Sequence, residues 1–420
     1  VTAAEVTSLL GKTDAGAVVT VAADGTIAAN VLTSLSTAIA KVDTITGLQL
    51  TDTQSTAEIG NLLSKATGAV VFADSMNADD LAAVADNAAK IAANGVTGDV
   101  TVTSALSAAQ IDALLGKTIA DNDAANVVTI TATGMSAAQL SAVEDNTTKV
   151  DDINNLGITS SQTAAEITAL LGKAAGNDAT VDASGMSAAQ ITAVNGAKAT
   201  IAAGGLSNLT LTSSQTIAEI TALLGNAAVG ATSVSVNASG MSAAQLVDVS
   251  DGIAKIAANG ITGAVALDAG DGVIVNAVVG NILGKASTDA TVDVAAAGAS
   301  AAELTTLSTN IAKVDSITGL TVTGTQPPAE IGNLLGKATD ASVTASGVGL
   351  PTMDATDLAA VADNISGVQA DGVTGAFTVT SALSAAQIDV LLGKTATGAT
   401  VTVDTTGFSA AQLSAVEDNT

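Results

Sequence analysis

Apolar residues recur along this chain in two rhythms that alternate from one end to the other. In "TAAEITALLGKAAGNDATVDASG", which starts at Thr163, Ile167, Leu170 and Leu171 have the i, i+3, i+4 spacing of a helix face. Gly172 then supplies a residue suited to a helix C-terminus. A few positions later Ala179, Val181 and Ala183 alternate with Thr180 and Asp182, the period of a strand with one buried face. A second kind of segment, "MSAAQLSAVEDNTTKVDDINNLGITSSQ" from Met135, predicts a longer helix before its strand. In a related copy Leu81, Val84, Ala88 and Ile91 form a stripe that predicts a helix ending at Asn94-Gly95. Strands such as "GDVTVTS" and "SNLTLTSS" follow.

The helix starts carry their own signal. "GMSAAQL" at Gly134 to Leu140 has close copies at Gly185, Gly240 and, as "GFSAAQL", Gly407. Its Ser136-x-x-Gln139 fits a capping box, in which the hydroxyl accepts from the N3 amide and the longer side chain returns to the N-cap amide. Ser107 with Gln110, Thr163 with Glu166, Thr216 with Glu219 and Ser409 with Gln412 repeat it. The signature is lost near Gly25 to Ala29 and near Gly270 to Asn276, and Pro327-Pro328 replaces it with a pair suited to a first helical turn. Asp86 with Lys90, Asp145 with Lys149 and Asp251 with Lys255 read as i, i+4 pairs on a solvated helix face.

Aligned on these motifs, the chain repeats about every 54 residues, in two dissimilar halves of about 27. A slower repeat lies over it. "AEIGNLLSKAT" at Ala57 returns as "AEIGNLLGKAT" at Ala329, and "SAVEDNT" at Ser141 returns at Ser414, so residues 1–148 resemble 273–420. The pattern predicts an α/β fold, a right-handed α/β solenoid of about 27-residue helix-strand coils with a continuous parallel sheet. One tandem-repeat solenoid over 1–420 is expected, of about 16 coils, as a window of a longer array. At strand spacing its sheet would extend on the order of 75 Å. A row of doubly wound domains and a pure β-solenoid are the competing folds.

Composition narrows the chemistry. Hydrophobic residues make up 48% of the 420, yet aromatics only 1%, with three Phe and no Trp or Tyr, which suits a thin core repeated many times. Cys, His and Arg are absent, which removes thiolate and imidazole metal ligands and Ser-His or Cys-His nucleophile pairs. The remaining Ser, Thr, Lys and carboxylates are copied along the chain instead of gathered at one locus, so no enzyme activity is expected. The formal charge of −27 disfavours nucleic acid and anionic membranes. No run of about 18 apolar residues marks a membrane span, and no secretory leader opens the sequence.

Two sets of positions invite a functional reading. Asp182, Asn237, Asp293 and Asp404 occupy similar places near strand ends, and Asp268 and Asp271 flank a glycine-rich turn. Calcium is the ion these carboxylates bring into question, although neither the EF-hand loop nor the glycine-rich nonapeptide is present, and a solvated carboxylate beside a turn explains each position more simply. Thr101 and Thr103, Thr129 and Thr131, Thr210 and Thr212, Thr321 and Thr323, and Thr378 and Thr380 alternate with apolar residues. Stacked coils would line them into ladders, open to ordered water or ice or to docking by another sheet, with plain β-propensity as the simpler account.

Units of the "ATVDASGMSAAQL" kind, rich in Ala, Thr, Gly and Asp, resemble those of very large repetitive bacterial surface proteins, the cyanobacterial and proteobacterial adhesins and surface-layer proteins. The resemblance spans the whole chain as texture. It implies secretion, in some cases by a type 1 route, and an extracellular place at the cell surface. The expected role is structural, a filament, fibre or layer made with other copies of the same chain. The alternative is an adhesin stalk whose sheet face contacts a glycan, such as surface polysaccharide, or a cell surface.

Overall fold

The computed structural model describes residues 1–14, 16–119, 126–228, 234–269, 272 and 274–419. The chain forms two compact units, Val1–Ser207 and Asn208–Thr420. In the first, helices α1 (Ala3–Gly11), α2 (Ala29–Thr37), α3 (Thr56–Lys65), α4 (Ala78–Asp86), α5 (Ala108–Leu115), α6 (Ala137–Glu144), α7 (Ala164–Leu171) and α8 (Ala188–Gly196) alternate with strands. The second continues with α9 (Ile217–Asn226), α10 (Ala243–Asp251), α11 (Asn276–Lys285), α12 (Ala301–Thr309), α13 (Pro328–Leu335), α14 (Ala355–Asp363), α15 (Ala385–Leu392) and α16 (Ala410–Glu417). Within each unit every helix packs against the next in sequence.

The N-termini form as the local code dictates. At α7 the Glu166 N–H donates to the Thr163 hydroxyl at 3.2 Å and the Thr163 N–H to the Glu166 carboxylate at 2.6 Å. The boxes at Ser107, Ser136, Thr216 and Ser409 close in the same way. Where the signature fails, α2 and α11 have Ala28 and Val275 as N-cap residues with no side-chain bond, and α13 starts on Pro328 behind Pro327.

α7 ends at Gly172 as expected, but the longer helix does not keep its expected end. α4 stops at Asp86 instead of running to Asn94-Gly95, and a 3-10 turn, Ala88–Lys90, leads into the strand Ile91–Thr97. At this C-cap the Asn87 side-chain amide donates to the Ala83 carbonyl at 2.9 Å and satisfies an acceptor that a further helical turn would have used, while α2, α8 and α10 end in the same way at Ala38, Ala197 and Gly252, which carry no such amide. Asn146, Asn310, Asn364 and Asn419 make the same bond four residues back. Asn94 instead sits inside the strand at φ 54°, where a bulge offsets the pairing to Ala69–Phe72.

All strand pairs are parallel. A representative sheet joins Val100–Thr103, Val128–Thr131 and Asp152–Asn154. Val102, Ile130 and Ile153 stand in register and fully buried, while Thr101, Thr129 and Asp152 line the opposite face. Such side chains each contribute about 1.5–3 kcal/mol by leaving water. The pairing is divided into sheets of three strands and one of two, not a single unbroken ladder. Residues at positive φ separate consecutive strand pieces in one class of repeat. Asn155, at 53°, separates Asp152–Asn154 from Gly157–Ile158, and the second piece pairs onward with Ala179–Asp182. Gly47, Gly98, Gly263, Gly319 and Gly375 do the same elsewhere. The core lies between the helices and the inward strand positions, made of Ala, Val, Ile and Leu with Met76, Met241 and Met353 and one buried aromatic, Phe377.

Candidate functional site

The capping glutamine has a second task that its local motif does not reveal. In α6 the Gln139 Oε1 accepts from the Ser136 N–H at 2.7 Å, while its Nε2 donates to the carbonyls of Ser104, at 3.0 Å, and Leu106, at 2.6 Å. Those carbonyls belong to the turn before α5, so one amide ties two successive repeats together. Gln190 reaches Ser160 and Gln162 in the same way, Gln245 reaches Ser213 and Gln215, and Gln412 reaches Ser381 and Leu383. In the other class of repeat Gln110 and Gln387 donate to Asp86 and Asp363 on the preceding helix.

Lysines form a parallel set of ties. Lys117 Nζ donates to the Ile91 carbonyl at 3.0 Å and Lys394 Nζ to the Val368 carbonyl at 2.7 Å. Lys149 donates to the Thr118 carbonyl at 2.7 Å and to Asn94 Oδ1 at 3.2 Å, and Lys313 repeats this on Ala286 and Asn259. These bonds correct the expected i, i+4 ion pairs. Asp86, Asp145 and Asp251 mark the ends of α4, α6 and α10, so Lys90, Lys149 and Lys255 fall in the 3-10 turns beyond, off the helical spacing. Lys255 Nζ meets the Ala227 carbonyl at 2.5 Å. Lys117 and Lys394 follow "LLG" in the sequence, whereas Lys149, Lys255 and Lys313 close the 3-10 turns after α6, α10 and α12.

The calcium candidates are spread over separate repeats. Asp182 accepts from the Ser184 N–H at 3.1 Å, and Asp404 from the Thr406 N–H at 3.0 Å, both as turn-forming bonds two residues ahead. The Thr406 hydroxyl, then its N–H, holds the Asp404 carboxyl below the ordinary aspartate range. Asn237 makes the same turn with Ser239. Asp293 differs, lying within the strand Thr291–Ala295 and accepting from the Ser316 hydroxyl at 2.5 Å. Asp268 ends the strand Ala264–Asp268, and Asp271 lies outside the described residues. Among the described residues no group of three or more carboxylates is placed to hold a metal ion.

The outward strand face carries most of the expected threonines in cross-strand register, whereas Thr212 and Thr380 fall just beyond their strands, in turns. Thr101 and Thr103 stand beside Thr129 and Thr131, which stand beside Asp152 and Asn154. The Thr210 and Ser235 hydroxyls are 3.0 Å apart and those of Thr321 and Ser342 3.1 Å apart, so some rungs bond laterally. Thr378 stands beside Thr402. The concavities are shallow. One of about 410 Å³ is lined by Ala132, Gly134, Asn155, Gly157, Asp178 and Thr180. No helix among the described residues is long and apolar enough to cross a membrane.

No family model matches the chain, and no curated protein matches it. Among solved structures, the leucine-rich repeat-containing protein LegL7 from Legionella pneumophila is similar at 12% identity. That match covers 80% of this chain and 93% of the other, with a TM-score of 0.15, too low to bear on fold or function.

Proposed function

We propose that this chain is a structural repeat protein of the bacterial cell exterior, which associates with copies of itself into a filament, fibre or layer. In this reading its helix-strand units continue as right-handed coils of one α/β solenoid, and the short parallel sheets are segments of a common surface. The observation that carries the proposal is the recurrence of one tie. A capping glutamine bonds two carbonyls of the preceding repeat at α6, α8, α10 and α16. Lysines add further bonds between repeats, so polar side chains as well as the core support the nearest-neighbour stacking on which a repeat array depends. An adhesin stalk that binds a glycan through its threonine face is the second reading, favoured by the register of hydroxyls across Thr101, Thr129 and their neighbours.

Electron microscopy of the purified chain, with glycan-array binding on the same preparation, separates the two. Regular end-to-end or lateral contacts between particles support the structural role. Dispersed particles with selective glycan binding would overturn it in favour of the stalk. Protease shaving of intact source cells tests the location, and protection of the chain from the protease would contradict an exterior place.

A further inference from the structure

Residues 1–148 and 273–420 are built on the same text, and one hollow in the first gathers several of the places where the two part. The hollow, of about 390 Å³, is lined from the turn before α2 and from the strand and turn before α3. Ile27 and Ala28 come from the first, Gln49, Thr51 and Thr53 from the second, and Phe72, the last residue of the strand Ala69–Phe72, completes it. At the matching positions the second stretch has Ala299 for Ile27, Ser300 for Ala28, Thr321 for Gln49 and Thr344 for Phe72.

These exchanges leave the lining with groups that the rest of the chain does not use. Ser300 caps α12 in a box with Glu303, whereas Ala28 leaves the first N–H groups of α2 without a side-chain acceptor. Thr321 shares a bond with Ser342 at 3.1 Å, whereas the Gln49 amide makes no side-chain hydrogen bond to the described residues. Thr159, Thr212 and Thr323 donate to the glutamine three residues ahead at 3.3, 3.2 and 3.2 Å. Thr51 makes no such bond. Its hydroxyl meets that of Thr53 at 2.8 Å, and Gln54 Nε2 donates to Thr53 at 2.6 Å, so the two hydroxyl protons share one bond and one of them is left to donate. Phe72 is 39% exposed, while Phe377 is buried and Phe408 half-buried. Every residue of the lining is uncharged, in a chain with 40 acidic and 13 basic side chains.

We propose that this hollow binds neutral carbohydrate, with the apolar face of a pyranose ring on Phe72 and its hydroxyls on the Gln49 amide and the Thr51–Thr53 pair. A pyranose offers a C–H face that an aromatic ring covers, and a rim of hydroxyls that both donate and accept, as a carboxamide and a hydroxyl do. An ionic ligand would find no opposite charge in the lining. The volume falls in the range of about 300–1,000 Å³ typical of small-molecule sites, and a mostly apolar wall with a few polar groups is their usual make-up. The proposal rests on the glycan-contact reading above, to which it gives a definite site, and it is independent of self-association.

Saturation-transfer NMR and titration calorimetry on the full 420-residue chain, with maltotriose, cellotriose, mannotriose and chitotriose as probes, test it. At least one should bind, with an affinity that holds from about 0.01 to about 0.15 M salt because no charge is engaged. F72T should weaken that binding about tenfold or more and Q49T severalfold. Circular dichroism should stay unaltered in both, because threonine already stands at each place in the second stretch. Binding that persists in F72T/Q49T would overturn this site while leaving glycan contact elsewhere on the chain standing. Silence of all the probes would overturn the site together with that reading, and an affinity that falls steeply with salt would overturn the assignment to a neutral ligand.

Discussion

Gln245 shows how much one side chain does in this fold. Its Oε1 closes the cap of α10 by accepting from the Ser242 N–H at 2.8 Å, and its Nε2 donates at 3.3 and 2.6 Å to the Ser213 and Gln215 carbonyls. The group is buried, so truncation leaves acceptors unmatched. The variant Q245A should therefore lose about 1–3 kcal/mol in urea unfolding. The variant Q245E keeps the cap but sets a carboxylate against two carbonyls, so it should be the less stable of the two at neutral pH and recover on mild acidification as the new acid is protonated. A Q245E chain as stable as the unaltered one at neutral pH would show that the cross-repeat bonds contribute nothing. Half of this residue's role was legible: Ser-x-x-Gln announces a cap because both partners lie within one turn, whereas the partners of Nε2 lie about thirty positions away and depend on stacking.

Among the elements, the helix starts, the helix end at Gly172 and the inward strand positions followed from sequence, and the end of α4 and the sheet breaks did not. Ala179, Val181 and Ala183 are buried as their alternation with Thr180 and Asp182 required. The Asn94-Gly95 pair was misread, because a residue at positive φ followed by Gly serves a helix C-terminus and a bulged strand equally well. The bulge has a steric signature of its own. A Cβ on Gly95 would stand 2.9 Å from the Ala69 and Ala92 carbonyl oxygens, both backbone atoms that cannot yield cheaply, whereas Asn94 occupies a left-handed position where Gly is at ease. G95A should thus lower the urea midpoint by an amount equivalent to about 1–3 kcal/mol. N94G removes only the Lys149 bond of 3.2 Å and should stay within about 0.5 kcal/mol. Equal effects from the two substitutions would contradict the bulge as the constraint at this point. Gly260 and Gly372, in the related strands Ile256–Thr262 and Val368–Thr374, face backbone oxygens at 2.8 Å and offer independent repeats of the test.

At the scale of the molecule the charge balance decides how copies can meet. The sequence carries 40 acidic and 13 basic side chains, and Lys41, Lys117, Lys149, Lys255, Lys285, Lys313 and Lys394 are drawn onto carbonyl oxygens of their own chain. Lys12, Lys90 and Lys198 stay exposed, but the outward balance is strongly acidic, and two such surfaces repel over a distance set by the ions between them. The screening length falls from about 30 Å at 0.01 M salt to about 8 Å at 0.15 M. Self-association, if it is the chain's business, must therefore strengthen as salt is raised through that range, which sedimentation velocity can follow directly. The threonine face supplies the local control. Thr129 lies between Thr101 and Asp152 on the outward side of its sheet, so T129E adds a like charge there without entering the core. If copies dock through that face, T129E should shift the onset of association to higher salt and leave circular dichroism unchanged. Association that weakens on adding salt would instead point to a cationic partner, because attraction between opposite charges is the contact that screening removes.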